Sequence, residues 1–492
     1  MLLVVLVVLA VLALLVGVHW YVWRRLVRDT TPGPGRPRRL GTAAVVLLPL
    51  LSVGALVAGR AGAPFRLQQV LAWPGYLWLA TLLYLTLALL VGEAVRPILL
   101  RVTARRAAAR SSSAREPEPL ADAPAAAAPR PAEPSSGGGT PQPGTFAGGG
   151  ASTAPPTADT GAATTMQQGG PADGTAPVST AAVAARPAGT TAGDGTGTSV
   201  DAPPDGAVAA GVAPAGKTVS RRVFVSRIVG GAAAAAAVGT VGYGTYGVLR
   251  GPRVKRVTVP LAKLARSAHG FRIAVVSDIH LGPILGRAHS QRIVDTINST
   301  QPDLVAVVGD LVDGSVADLG PAAEPLAQLT ARHGAYFVTG NHEYFSGADA
   351  WVDHVRELGL TPLRNDRVAL DGFDLAGVDD VAGVYEGQGP DFGKALGDRD
   401  RSRAAVLLAH QPVVIDDAVR HGVDLQLSGH THGGQLWPGN YLADLANPTV
   451  AGLERYGDTQ LYVSRGAGAW GPPVRVGAPS DITVVELASR RT

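Results

Sequence analysis

The 492-residue chain contains no cysteine, and this absence excludes two kinds of structure. Without thiols the chain has neither disulfides nor thiolate ligands for a zinc finger or an iron–sulfur cluster. Any bound metal must therefore be held by oxygen and imidazole ligands. The absence of cysteine does not identify the compartment.

Large apolar side chains are almost missing from residues 104–219, which consist mainly of Ala, Pro, Gly, Thr and Ser. A segment folds only if it buries enough apolar surface to offset the loss of chain entropy, and this one has little to bury. We therefore predict a disordered linker at 104–219. It separates an N-terminal region, 1–103, from a C-terminal domain, 255–492.

The C-terminal domain also lacks an excess of basic residues, although the whole chain carries a formal charge of +4. Residues 271–492 contain 17 Lys and Arg against 28 Asp and Glu, a net charge of −11. The positive charge lies beside the apolar segments, where it would attract anionic lipid headgroups. This distribution argues against nucleic acid as a partner.

Three apolar stretches in the N-terminal region are long enough to cross a membrane. They are apolar on all sides, unlike the surface helices of a globular domain. A cleaved signal peptide is a poor interpretation of the first stretch, because no basic residue precedes it. The sequence predicts a multi-pass protein of the cell membrane, with transmembrane helices at Leu2–Trp23, 42–58 and 76–95.

Arginines indicate the orientation of these helices. They cluster at 24–39 and 96–115, which places the first loop and the linker in the cytoplasm. The segment 220–250 begins with Ser-Arg-Arg-Val-Phe, which resembles a twin-arginine export signal, and continues into a mildly apolar stretch at 228–249. We expect a signal or a fourth membrane segment here, with the catalytic domain extracytoplasmic. An interfacial helix and a cytoplasmic domain remain the alternative.

Polar side chains follow several apolar runs of the C-terminal domain. The gaps from Asp278 to Asp310 and from Asp310 to Asn341 are 32 and 31 residues, enough for one strand, a helix and a return strand. These side chains would gather along one edge of a sheet. Carboxylate, amide and imidazole ligands suit Mn, Fe or Zn. The candidate ligands are Asp278, His280, Asp310, Asn341, His342, His410, His430 and His432, which together look like a binuclear metal site.

The ordered blocks resemble the signature of the calcineurin-like metallophosphoesterases, over about 271–486. They are most similar to the membrane-associated YkuE-type branch, which is related to UDP-diacylglucosamine pyrophosphohydrolases. The blocks are Asp278-x-His280, Gly309-Asp-Leu-Val-Asp313, Gly340-Asn-His-Glu-Tyr344, His410 and Gly429-His-Thr-His-Gly-Gly-Gln435.

The strand and helix pattern alone indicates an α/β fold. The resemblance implies a four-layer αββα sandwich of two mixed sheets. Strands are predicted near 272–277, 304–309, 335–339, 404–409, 424–427, 460–464 and 482–486.

The resemblance also implies a role for each residue. Two divalent ions would be bridged by Asp310 and by a hydroxide that attacks phosphorus. Asp278, His280 and His432 would hold one ion, and Asn341, His410 and His430 the other. His342 would bind no metal and would protonate the leaving oxygen.

Three neighbouring features have two interpretations each. Asp313 either orients a ligand histidine or caps a turn. Asp379 and Asp380 either reach the site or belong to a turn. Arg465 or Arg475 would bind a substrate phosphate, or neither does.

Three functions are compatible with these features. The first is a membrane-anchored, binuclear phosphoester or pyrophosphate hydrolase whose substrate is lipid-linked or a nucleotide-sugar lipid. The second is a nuclease of the same superfamily, which the acidic domain disfavours. The third is a non-enzymatic membrane sensor that retains the fold, which the complete set of motif residues disfavours.

Overall fold

A computed structural model of the chain describes residues 2–113 and 220–490. The predicted linker at 104–219 lies outside the described residues except for 104–113, which continue a helix. The two described parts belong to one compact unit.

Among the described residues, four α-helices precede the C-terminal domain: α1 (Leu2–Trp23), α2 (Arg36–Ala58), α3 (Phe65–Ser113) and α4 (Arg221–Leu249). Each is long and apolar enough to cross a membrane. Helix α3 is much longer than the predicted span at 76–95. The apolar window determines only the part inside the bilayer, and the Ala- and Arg-rich flank continues as helix because both residues favour that conformation.

Helix α4 is packed into the bundle through small residues. Ala233, Ala237 and Val241 are buried in one cluster with Val22 of α1 and Ala80 of α3. Small side chains let membrane helices approach closely. A helix packed in this way is an integral part of the bundle.

A cluster of charged side chains lies at the end of the helix bundle where α4 begins. Arg25 pairs with Asp29 at 3.0 Å and with Glu93 at 2.8 Å. Arg96 donates a hydrogen bond to Ser226 of α4 across 3.2 Å. The C-terminal domain follows the other end of α4.

The described part of the chain has twelve strands in two six-stranded sheets, in the orders β1-β12-β2-β3-β4-β5 and β10-β11-β9-β8-β7-β6. The strands of the first sheet are β1 (Arg253–Leu261), β2 (Phe271–Val276), β3 (Leu304–Val308), β4 (Ala335–Val338), β5 (Thr361–Pro362) and β12 (Asp481–Ser489). Those of the second are β6 (Asp366–Leu370), β7 (Phe373–Gly377), β8 (Ala404–Leu408), β9 (Leu425–Ser428), β10 (Gly452–Tyr456) and β11 (Thr459–Val463).

The two sheets pack face to face, with helices on both outer faces. The inner faces share one apolar core, which includes Ile273 and Val275 of the first sheet and Phe373 and Val406 of the second. Separate apolar clusters join each sheet to its outer helices. The predicted four-layer αββα fold is confirmed. The helices of this domain are α5 (Arg287–Ser299), α6 (Val316–Ala323), α7 (Asn341–Ser346), α8 (Ala348–Glu357), α9 (Phe392–Leu396), α10 (Ile415–Arg420) and α11 (Gly439–Ala446).

Strands β2, β3 and β4 are parallel neighbours, and so are β8 and β9. The prediction that the motif side chains gather along one edge of a sheet is confirmed for the first three blocks, which end these neighbouring strands. Strands β1, β5, β6, β7 and β10 have no counterpart among the predicted strands. Strand β1 pairs in parallel with β12 and connects the end of α4 directly to the first sheet.

Candidate metal centre

The seven predicted ligands follow the carboxyl ends of their strands and converge between the two sheets. Three groups of side chains have ligand atoms within 4.8 Å of one another. Asn341 lies beside one of these groups, because its Oδ1 is 2.9 Å from Nδ1 of His430. The groups are Asp278, His280 and His432; His280, Asp310 and His342; and Asp310, His410 and His430.

Five of these residues have a left-handed backbone conformation. Their φ angles lie between 50° and 72°, a region that side-chain-bearing residues rarely adopt. Such strain persists where the surrounding structure imposes it, and it is concentrated at functional sites. The five residues are Asp278, His280, Asp310, His430 and His432.

Two motif glycines allow the blocks to approach one another. A Cβ atom on Gly340 would lie 2.5 Å from the backbone nitrogen of Asp310. A Cβ atom on Gly429 would collide with Ser277 and Asp278. Only glycine therefore fits at these two positions.

Hydrogen bonds behind the imidazoles orient two of them. Nδ1 of His280 donates to Oδ1 of Asp313 across 2.9 Å, and Nδ1 of His410 donates to the Val308 carbonyl across 2.9 Å. With the proton on Nδ1, the lone pair on Nε2 is available for a metal. This hydrogen-bonding pattern fits a ligand role for both histidines.

The donor atoms that face the centre also fit divalent cations. Nε2 of His410 is buried, lies 3.1 Å from Oδ2 of Asp310, and makes no hydrogen bond within the described chain. Nε2 of His280 lies 3.0 Å from Nε2 of His432, which is itself 3.2 Å from Oδ1 of Asp278. Carboxylates and imidazoles that converge in this way are a suitable donor set for Mn, Fe or Zn.

The carboxylates and imidazoles of this centre shift one another's pKa values. Burial disfavours protonation of His280, but the carboxylates of Asp313, Asp310 and Asp278 outweigh it and raise its pKa to about 9. Burial alone would raise the pKa of Asp310, yet the nearby imidazoles, His410 first, hold it at about 2. The carboxylates therefore stabilise positive charge at His280, whereas burial prevails at His432 and lowers its pKa to about 4.

Asp313 contacts two histidines. In addition to the bond from His280, its Oδ1 lies 2.7 Å from Nδ1 of His342. Nε2 of His342 in turn lies 4.0 Å from Oδ2 of Asp310. Of the two interpretations of Asp313, the geometry favours the orienting role.

The sequence motifs do not reveal the roles of two further residues, of which Glu343 is the first. Its carboxylate accepts hydrogen bonds from the backbone nitrogens of Asp310 at 2.9 Å and Leu311 at 2.7 Å, which holds the strand end in place. Burial and the charge of Asp310 raise the pKa of Glu343 to about 7. The one sequence signal for a role of Glu343 is its position next to Asn341 and His342.

The second is Arg475, which is buried behind His432. Its Nη2 lies 3.1 Å from Nδ1 of His432, and its Nη1 donates to the His432 carbonyl across 3.1 Å. Burial lowers its pKa to about 10. The interpretation of Arg475 as a phosphate-binding residue is wrong, because its nitrogen atoms are occupied by protein acceptors. A single arginine in a Gly-rich segment carries no local signal of this role.

Asp379 and Asp380 have structural roles. Asp379 pairs with Arg364 at 2.7 Å. Asp380 accepts hydrogen bonds from the backbone of Ala382 and from Gln411. The turn interpretation of these two aspartates is therefore the better one.

Comparisons with known proteins agree with this geometry. A family model described as calcineurin-like phosphoesterase matches residues 271–434. A zebrafish (Danio rerio) transmembrane protein with metallophosphoesterase domain is 41% identical over 259 residues, which cover 50% of this chain and 59% of that protein. The uncharacterized metallophosphoesterase YkuE of Bacillus subtilis is 32% identical over 288 residues, which cover 56% of this chain and 99% of that protein.

A third relative, an uncharacterized metallophosphoesterase of Aquifex aeolicus, is 33% identical over 243 residues, which cover 48% of this chain and 92% of that protein. The chain thus spans less than two thirds of the zebrafish relative and nearly all of the two bacterial ones. It belongs to the calcineurin-like metallophosphoesterases, a family of phosphoric ester hydrolases that use divalent metals.

Proposed function

We propose that the chain is a membrane-anchored hydrolase of phosphoesters or pyrophosphates with a binuclear metal centre. The observation that carries this proposal is the convergence of seven carboxylate, amide and imidazole side chains beside a cavity lined by His342. When bound, divalent ions lower the pKa of water and neutralise charge on phosphate.

The chain's own residues would hold these ions in two sets that share Asp310. One set consists of Asp278, His280 and His432, and the other of Asn341, His410 and His430. A shared carboxylate is required because two neighbouring dications repel each other. Glu343 holds the backbone of Asp310, and Arg475 holds the backbone carbonyl of His432.

His342 is suited to protonate the leaving oxygen. Its Nδ1 is paired with Asp313, so Nε2 is the atom free to face the substrate. Asp313 orients the ring, and the Nε2 proton would pass to the leaving oxygen as the phosphoester bond breaks.

The membrane helices support an extracytoplasmic catalytic domain. The arginine-rich ends of α1 and α3 meet the start of α4, and the domain follows the other end of α4. By the positive-inside rule the arginine-rich end is cytoplasmic. The packing of α4 in the bundle favours a retained fourth span over a cleaved signal.

A lipid-linked substrate is the class that best suits this arrangement. Helix α11, close to His432, exposes Tyr441, Leu442 and Leu445. Exposed aromatic and aliphatic side chains of this kind favour a membrane interface. A nucleotide-sugar lipid is one member of this substrate class. The acidic domain disfavours a nuclease, as before.

The proposal is tested with the full chain in detergent or nanodiscs. Metal analysis should find two divalent ions per chain, and p-nitrophenyl phosphate or lipid pyrophosphates should be hydrolysed after loading with Mn, Fe or Zn. Chelation should abolish the activity and the same metal should restore it. A chain that binds metal but cleaves no member of the panel would favour the sensor alternative.

A further inference from the structure

A cavity of about 590 Å³ lies beside the candidate metal centre, within the size range of small-molecule sites. His280, Asp313 and His342 line it from the catalytic domain. The rest of its wall comes from the membrane region, through the end of α2, the start of α3 and the connection between them at 59–64. The cavity is therefore shared between the two regions.

Contacts across the cavity join these two regions. Tyr76 of α3 lines the cavity together with Asp313 of the catalytic domain. Phe65 packs against the core of the first sheet, and Gly244 of α4 packs against Arg475. The membrane region is thus packed against the catalytic domain at Phe65 and at Gly244.

Arg60 is the one Lys or Arg side chain among the described residues that line the cavity. It is exposed and makes no ion pair within the described chain; its one hydrogen bond is a long one, 3.4 Å, to the Leu56 carbonyl. Asp313, by contrast, is already paired with two histidines. Arg60 therefore has a guanidinium group available for an anionic ligand.

We propose that Arg60, on the connection between α2 and α3, is a substrate-binding residue that contacts the anionic headgroup of a phosphate-bearing lipid. This inference rests on the proposed function and extends it, because the membrane region becomes part of the substrate site. A lipid held in the bilayer would present its headgroup to a wall that is itself built from membrane helices. Apolar side chains of the same wall, Leu56 and Phe65, would contact the lipid next to its headgroup.

The test measures equilibrium binding of dioctanoyl phosphatidic acid to the full chain in phosphatidylcholine nanodiscs. Arg60→Gln should weaken binding about tenfold or more, the loss expected for a charge-assisted hydrogen bond. Arg60→Lys should recover part of the affinity. Arg66→Gln is the matched control, since Arg66 is exposed nearby but does not line the cavity, and it should bind as the wild type does.

Unchanged binding by Arg60→Gln, or an equal loss in Arg66→Gln, would overturn the proposal. Failure of the proposed function would be seen separately, as the absence of metal-dependent p-nitrophenyl phosphate hydrolysis by the wild type. The comparison of lipid binding does not depend on hydrolysis. The cysteine-free chain permits a second measurement. Phosphatidic acid should slow maleimide modification of Ala63→Cys, which lines the cavity and keeps Arg60, and not of Ala61→Cys, which does not line it; equal rates with and without lipid would contradict the placement of this connection in the site.

Discussion

Asp313 accepts a hydrogen bond at Oδ1 from Nδ1 of His280, across 2.9 Å. The bond leaves Nε2 of His280 directed at the centre. Asp313→Ala should therefore lower metal affinity about 10- to 100-fold, the usual effect of losing such a partner. Calorimetric titration of the metal-free protein measures this. Asp318→Asn, a change at an exposed carboxylate on the same cavity, should leave the affinity unchanged.

Asp310→Asn should remove both metals and nearly all hydrolysis while the domain stays folded. The reason is the shared position of Asp310, whose Oδ2 lies 3.1 Å from His410 Nε2 and 3.7 Å from His280 Nε2. Metal analysis measures the bound ions, and circular dichroism shows whether the domain stays folded.

Asp380→Asn is the matched control for that variant, because Asp380 is also buried but has hydrogen-bond partners outside the ligand set. It should keep both metals. Full metal content and activity in Asp310→Asn would sink the two-metal assignment.

His342→Ala should keep metal occupancy near that of the wild type and lower kcat by about 10² to 10⁴. The loss should shrink for p-nitrophenyl phosphate, whose leaving group needs little protonation. His333→Ala, remote from the motifs, serves as the control. Loss of a metal from His342→Ala would place His342 among the ligands instead, as its proximity to His280 and Asp310 permits.

Gly340→Ala should disrupt the centre through its backbone. The added methyl group would meet the Asp310 backbone, which cannot move without shifting the shared carboxylate. We expect a destabilisation of about 1–3 kcal/mol and reduced metal content. Gly286→Ala, where the methyl group would have open space, should behave like the wild type in thermal melting and metal analysis.

Replacing Arg221 and Arg222 by Lys should leave the catalytic domain inside the cell. Both arginines are exposed at the start of α4, where an export pathway can recognise them. Protease added to spheroplasts should then digest the wild-type domain but not that of the variant. Arg250→Lys with Arg253→Lys is the control. A wild-type domain that is already protected would mean that the enzyme works on the cytoplasmic face.

The sequence predicts those parts of the fold that have a local signal. Asp278, Asp310 and Asn341 each follow an apolar run, so the strand ends and their shared edge can be inferred. Strand β1 has no such signal, because its first residues are exposed on an edge strand and its partner β12 lies more than 200 residues away. Local hydrophobic periodicity carries little information about such a pairing.

The buried charges behind the ligands cannot be predicted for a related reason. Arg475 and His432 are 43 residues apart, and only the folded chain brings them together. The cavity is even harder to predict from the sequence. Arg60 and Asp313 both line it, but they belong to regions on either side of the linker. Composition and motifs describe each region separately and give no information about a surface that both regions build.

The shared wall of the cavity has a consequence for any soluble fragment of this protein. A chain that begins after α4 would retain the seven metal-binding side chains but would lose Arg60, Tyr76 and the contact of Gly244 with Arg475. Such a fragment would hydrolyse small chromogenic esters through an open, less discriminating site. Activities measured on it would describe the chemistry of the centre and would underestimate the selectivity of the intact enzyme.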